Sequence, residues 1–584
     1  MKKKKYLFSH LIILFFLIIT VSLPGFSAES RLSWNDFIAS LKNILGPSIV
    51  INQNRTNTQF VTRLDAARTL IDALSYNDLY NYFDAGSVPF QDVQNLSQTD
   101  KKVVILSTQL NPPLFTGDAK GLFRPYDPLT PQEFSFLKEK LKTYAQGNIN
   151  YESTKIIEPG IMLIVKKWGF GEPSPLTLAP SSGPTVYLQV GAFSERFRAE
   201  NTSTFLKELG YTPSIVEEQS LFKVRVGPFS TQDLPSIQEK LNQQGFPNVI
   251  VPQKNAVNIP EAKVEGGAVF SLALLYDPNI STYTPEVVIA NDKILGREKM
   301  SVIARQKNAF FAINAGFFSQ EGDPIGLLMI KRKILSDSQD GWYSLGITSN
   351  KELVFGMVHL EINGFLSEQK KFSIHGINRN NQGNEIILFD ENYNGKTPRT
   401  EGVETLVTNG IIQVTSRTNG ETSIPKGSYI LQGKGDVAGW MLQNLYPGTP
   451  LLVKMTILPE TGELEKWMRV EYILSSGPLL FQNGSAGPFG EFRKEIVENK
   501  HPRTVIGQTQ EGKILFLTVD GRRPGHSSGL TIAELVEELK YYQVTDALNL
   551  DGGGSVTFYL QGKILNWPSD LIGERKISTA IILK

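Results

Sequence analysis

Apolar and polar residues follow three different rhythms along the chain. Between residues 63 and 74 the apolar positions Leu64, Ala67, Leu70, Ile71 and Leu74 fall on one stripe, which predicts an amphipathic helix. Between 184 and 252 the pattern runs strand, helix, strand and then repeats: strands at 186–190, 221–226 and 249–251, with helices over 199–209 and around 234–241. Two β-α-β halves of this size predict a ferredoxin-like sandwich. From Phe270 onward short β-rich runs end at glycine turns. Three of them stop at a carboxamide or carboxylate: 310–313 at Asn314, 514–519 at Asp520 and 547–550 at Asp551. Glycine close behind lets the backbone turn sharply and lets a ligand come close.

Breaks in these rhythms divide the chain. Four prolines between Gly171 and Pro184 stiffen an extended segment, so 171–183 reads as a linker. A softer break covers 251–267, with Pro252, Pro260 and Gly266-Gly267. The expected modules are a mainly helical region at 32–170, the sandwich at 184–252 and an α+β module with a mixed sheet at 268–584. Residues 1–28 have a run of four lysines, an apolar middle and small residues near Ala28, the form of a secretory leader. An uncleaved membrane anchor is the alternative, and would be the chain's one contact with a membrane.

Composition narrows the chemistry. With the four leader lysines removed, 55 basic residues face 58 acidic ones, a balance of about −3 that gives no electrostatic case for nucleic acid. The 584 residues contain no cysteine, which excludes disulfides, thiolate metal sites and cysteine nucleophiles. Four histidines follow the leader, His359, His375, His501 and His526, without the spacing of a zinc site. No metal or cofactor is expected, with an oxygen-ligand ion of the calcium type left open.

A helix opening at Thr531 with Glu534 at capping-box spacing should link the strands that end at Asp520 and Asp551. A strand-helix-strand unit favours parallel neighbours and would bring both carboxylates to one sheet edge. Two converging carboxylates suit glycosyl transfer to water. The plainer reading is that each Asp caps its own turn.

Several motifs carry resemblances. The segments 313–318, 376–379, 402–404, 477–480, 502–507, 519–522, 529–531, 549–555 (Asn-Leu-Asp-Gly-Gly-Gly-Ser) and Glu574-Arg575 together resemble the phosphodiester glycosidase family. The resemblance implies cleavage of a sugar phosphodiester at the sugar carbon, with Asp551 and Asp520 as catalytic carboxylates. A phosphomonoester is already a good leaving group, so positive charge at the phosphate matters more than an acid. Arg503, Arg522 and Arg575 are the phosphate-binding candidates. Asn314, Asn378, Asn549 and Glu404 are candidates for the sugar, and His501 for proton transfer. Arg575 could instead pair with Glu574, and Arg522 could simply be surface-exposed.

The runs 189–194 and 224–229 resemble the SPOR domain, which implies binding to peptidoglycan glycan strands through Gln189, Phe193 and Arg225. For Phe193 and Phe229 taken individually, core packing is the favoured reading. Phe90-Gln91-Asp92-Val93, Gly117, Phe123-Arg124-Pro125 and the helix start at Thr130 are similar to the S-layer homology module, which implies anchoring to wall polymers; a small helical spacer is the alternative. The combined expectation is a secreted enzyme of the cell wall or envelope acting on a wall or envelope polysaccharide. A non-enzymatic peptidoglycan-binding or sporulation protein, and a hydrolase of peptidoglycan glycosidic bonds, are the alternatives.

Overall fold

The computed structural model describes residues 31–171 apart from 48, 50, 52–59 and 84–87, the strands and part of the helical residues between 186 and 252, and residues 267–584 apart from 339–340, 462–463, 488–491 and 493. The leader, the linker from 172 and the break over 253–266 lie outside the described residues. The chain forms two compact units, Met1–Glu172 with Gly266–Lys584, and Pro173–Glu265.

The larger unit begins with helices Trp34–Leu45, Arg63–Ala73, Gln98–Gln109 and Pro131–Ala145. The hydroxyls of Ser33, Thr62, Ser97 and Thr130 each accept from the backbone N–H three residues on, which satisfies a donor that the first helical turn leaves unpaired. The stripe at Leu64, Ala67, Leu70, Ile71 and Leu74 is buried as the pattern predicts. Arg63, also buried, donates to Glu133 at 2.5 Å and to the carbonyls of Phe123 and Thr116 at 2.7 and 2.9 Å, tying the second helix to the fourth and to the turn between them.

These helices do not form a core of their own. After them, the hairpin Asn150–Glu158 and Ile161–Trp168 enters an eight-stranded sheet, where Ile161–Trp168 pairs with Val269–Tyr276. The order continues through Ile514–Val519, Arg503–Thr509, Val544–Asn549, Leu479–Gln482 and Ser485–Ala486. One apolar cluster runs from Phe37 and Leu70 through Phe270 and Phe311 to Phe516 and Phe558. Residues 32–170, which read as a separate module, therefore share a sheet and a core with 268–584.

The sheet also departs from the expected parallel arrangement. Arg503–Thr509 lies between Ile514–Val519 and Val544–Asn549 and is antiparallel to both. Every neighbouring pair in this sheet is antiparallel; Gly376–Ile377 pairs in parallel with Ile386–Asp390, in another sheet. The helix Ile532–Tyr541 does form with its capping box of Thr531 and Glu534, and buries Ile532, Leu535, Val536 and Leu539. It connects two strands that run the same way with a third between them, so Asp520 and Asp551 still leave the sheet at one edge.

The smaller unit has an antiparallel sheet in the order Pro213–Glu218, Leu221–Phe229, Val186–Phe193, Val249–Pro252. Taking the strands in chain order, this is the 2-3-1-4 order of a ferredoxin-like sandwich. Leu188, Val190, Val224 and Val226 are buried in its core.

Candidate active site

Asp520 and Asp551 emerge at one edge of the sheet. Asp551 is held by its backbone: its N–H donates to the carbonyl of Ala315 at 2.8 Å, and its carbonyl accepts from Asn314 Nδ2 at 2.5 Å. Asn314 in turn accepts from Thr504 Oγ1 at 2.7 Å and from the Thr557 N–H at 3.3 Å. Asn314 is thus a buried bracket for the Asp551 main chain rather than a group open to a sugar. Asn549 is also buried, with Nδ2 donating to the carbonyls of Gly477 and Leu550, both at 2.9 Å.

Asp551 as a residue is half-buried, and its carboxyl is closely surrounded by protein. Burial pushes its carboxyl up to about 6; the Ser555 hydroxyl, the Arg575 charge, the Gly552 N–H and the Arg522 charge pull the other way and do not cancel it. The glycines that follow are a spatial necessity. A Cβ on Gly554 would lie 2.2 Å from Arg575 Nη2 and 2.2 Å from Asp570 Oδ1, and one on Gly553 would lie 3.2 Å from Arg522 Nη1. Arg522 and Arg575 therefore press against the loop that carries Asp551; burial, with the nearby Arg575 charge, holds the Arg522 guanidinium below its ordinary range.

The two arginines are held differently. Arg575 makes a two-pronged bond to Asp570 at 2.8 and 2.9 Å and is part-exposed; Glu574 instead accepts from the Ser301 N–H at 2.8 Å. Arg522 Nη2 meets His501 Nδ1 at 2.9 Å, while His501 Nε2 lies 2.9 Å from the Glu495 carbonyl. Burial, with the charges of Arg503 and Arg522, holds the His501 imidazole below its ordinary range.

Arg503 does not join this pair. Its guanidinium is buried and donates to the carbonyls of Leu530, Ile496 and Asn499 at 2.8, 2.8 and 2.9 Å, so its donors hold loops together. Burial and the nearby Arg522 bring its pKa down to about 10.

Asp520 also differs from the expected open carboxylate. It is 2% exposed and accepts from His526 Nε2 at 2.8 Å, Asn566 Nδ2 at 2.9 Å and the Trp567 N–H at 2.7 Å. One intervening strand puts the two chain exits roughly 9–10 Å apart.

Asn378 and Glu404 are not brought to Asp551. Asn378 is buried beside Asp390 and donates to it at 3.0 Å; Glu404 accepts from Thr397 at 2.6 Å, from Gln432 at 2.8 Å and from Thr422. Glu404 lies in the five-stranded sheet that contains Ile386–Asp390, Gly402–Thr408 and Ser428–Gly433, and Asn378 in the bend after its edge strand Gly376–Ile377, where they satisfy buried polar groups.

The sequence pattern gave no sign of Asp570 or His526 as neighbours of the site. It also passed over Asp323, in the turn after Phe317-Phe318, whose carboxyl burial and nearby Asp337 and Glu321 push up to about 7. Among the described residues no group of three or more His, Asp or Glu could hold a metal ion, and no helix is long and apolar enough to cross a membrane.

In the smaller unit Gln189 and Arg225 are directly paired across neighbouring strands, on the sheet face opposite the buried valines. Phe193 packs partly buried against the core, and a Cβ on Gly191 would strike its ring at 2.6 Å. That contact places Phe193 in the packing rather than on the open face.

Residues 401–584 match the family model for phosphodiester glycosidase, and 182–252 match that for the SPOR domain. The chain carries a phosphodiester glycosidase domain and a SPOR domain. It is 40% identical over 81 residues to the N-acetylglucosamine-1-phosphodiester alpha-N-acetylglucosaminidase of Mus musculus, covering 14% of this chain and 15% of that protein. The Homo sapiens protein of the same name is 40% identical over 84 residues, again 14% of this chain and 15% of the relative. The chain thus spans about 15% of the length of the curated relatives it matches. Among solved structures it resembles an exported protein of Burkholderia pseudomallei K96243 with a TM-score of 0.53 at 18% identity, covering 74% of this chain and 96% of that one, a likeness of fold.

Proposed function

We propose that the protein is a hydrolase of the cell wall or envelope, secreted by its leader, that cleaves a glycosyl-1-phosphate type phosphodiester at the sugar carbon. The observation that carries this reading is the contact of the Asp551 glycine loop with Arg522 and Arg575. A carboxylate raised by burial and two guanidiniums around a loop with no side-chain bulk suit a sugar joined to phosphate.

In this reading Asp551 is the catalytic carboxylate, acting at the sugar carbon as nucleophile or as base toward water. The bond from that carbon to the phosphate oxygen breaks, and its electron pair leaves with the phosphate. Arg522 and Arg575 stabilise the charge that develops there. Water supplies the new hydroxyl of the released sugar, and the other product is a phosphomonoester. Asp520, with its carboxylate engaged by three donors, acts through the fold; Arg503 and Asn314 brace the loops. The SPOR domain brings the enzyme to peptidoglycan, with Gln189 and Arg225 on the face offered to glycan strands.

The test is to incubate purified wild-type and Asp551→Asn proteins with glycosyl-phosphodiester model substrates and with purified wall, and to identify the products by mass spectrometry. Free sugar and phosphomonoester from wild type, with at least a thousandfold loss in the variant, is the expected result. Retention on peptidoglycan with no released sugar or phosphate would replace the reading with a binding protein, and cleaved glycan chains would make it a peptidoglycan glycosidase.

A further inference from the structure

One buried chain of charges in the larger unit is not used in the proposed chemistry. Asp78, which follows the second helix, accepts from Lys167 Nζ at 2.6 Å and is bonded to His526 Nδ1. His526 Nε2 meets Asp520 at 2.8 Å. Lys167 is fully buried and also donates to the Ser75 carbonyl at 2.5 Å, beneath the Tyr76 ring. The His526 ring packs between Phe270 and Trp567, with centroids at 4.8 and 5.3 Å.

We infer that Asp78, from the N-terminal helical region, positions the proposed active site by orienting His526, which fixes Asp520 and with it the loop that presents Arg522. Asp520 lies two residues before Arg522, whose backbone sits in the left-handed region at φ of +58° and whose guanidinium faces Gly553. Asp520 also binds Asn566, which donates to the Val556 carbonyl and accepts from the Phe558 N–H just after the glycine loop. Asp520 thus joins the loop that carries Arg522 to the segment that follows the Asp551 glycine loop. An imidazole with a carboxylate on each nitrogen donates through both N–H groups only as the cation.

Charge around the ring favours that state. Burial works against the His526 cation, but the bonds and charges of Asp520 and Asp78 outweigh it and raise its pKa. Burial also works against the Asp78 charge, and His526 and Lys167 outweigh it and lower the carboxyl. Lys167 and Asp78 face the ring's neighbourhood from the helical region and its hairpin, and Asp520 from its own loop; the Tyr82 phenol, near both carboxylates, is raised mainly by burial. The stability from a raised imidazole is fully present below its unfolded pKa and is lost as pH rises through the folded one. Removing one partner leaves a buried charge uncompensated. On this view residues 32–170 are a working part of the catalytic unit and not a detachable anchor.

The inference rests on the hydrolase reading only for its kinetic readout. The test uses full-length wild type, Asp78→Asn and His526→Gln. It measures 15N NMR of the His526 ring against pH, binding of inorganic phosphate by calorimetry, and KM, kcat and the pH–rate profile on a glycosyl-phosphodiester. Expected are a doubly protonated His526 in wild type at pH 7, a deprotonation at least one pH unit lower in Asp78→Asn, and phosphate binding and KM weakened about tenfold. The alkaline fall in rate should move with the ring in Asp78→Asn and vanish in His526→Gln. If folded Asp78→Asn keeps phosphate affinity, KM and pH profile, the inference is wrong. If Asp78→Asn does not fold, the wild-type ring decides: protons on both nitrogens at pH 7 support the inference, and a neutral ring overturns it. A wild type that cleaves no phosphodiester, but whose phosphate binding and ring titration respond to Asp78→Asn as expected, would sink the hydrolase reading and leave this one standing.

Discussion

The amide of Asn314 grips Asp551 by its backbone carbonyl, at 2.5 Å, and leaves the carboxylate outside that bond. The residue proposed to do chemistry is therefore placed by its main chain. Asn314→Ala orphans the buried carbonyl and the Thr504 hydroxyl. It should lower stability by about 2–3 kcal/mol and cut kcat/KM more than tenfold, measured by denaturant unfolding and initial rates.

Asp551 sets the acid limb of the pH profile. Its carboxyl is raised to about 6, so the active carboxylate is lost below that value and kcat/KM should fall about tenfold per pH unit there. The stability consequence has the opposite sense. A carboxyl raised on folding destabilises the protein above its unfolded pKa, and the cost is complete above the folded one. Asp551→Asn should be inactive yet more stable, by at most about 3 kcal/mol at pH 7.5 and by nothing near pH 3.5. Thermal melts at the two pH values check this.

Gly554→Ala should damage the phosphate side selectively. Its Cβ would meet Arg575 and Asp570 at 2.2 Å, so their ion pair must move. A tenfold or larger rise in KM is expected, with kcat changed less, in steady-state assays on a glycosyl-phosphodiester.

Arg503 and Arg522 should separate on substitution. Arg503→Ala removes donors to three carbonyls and should cost about 2–4 kcal/mol of stability. Arg522→Ala should leave stability within about 1 kcal/mol and weaken binding of inorganic phosphate. Unfolding curves and calorimetry on both variants distinguish the roles.

How much of this could be read along the chain depends on the range of each interaction. The helix at 532–541 was legible because its cap and its apolar face are local. Strand ends at Asn314, Asp520 and Asp551 were legible because glycine follows each closely. What local pattern cannot show is which strand lies between two others: Arg503–Thr509 precedes Ile514–Val519 in the chain yet separates it from Val544–Asn549. Nor can it show that Asp78 meets His526, 448 positions away. The same limit explains Arg503, Asn378 and Glu404. Polar residues in motifs that resemble a family serve buried networks as readily as ligands, and only their three-dimensional partners tell which.

The central claim is that the sugar carbon, not phosphorus, is attacked. Hydrolysis of a glycosyl-phosphodiester in 18O-labelled water decides it most directly. Label in the released sugar and none in the phosphomonoester is expected; label in the phosphate would show attack at phosphorus and overturn the proposal.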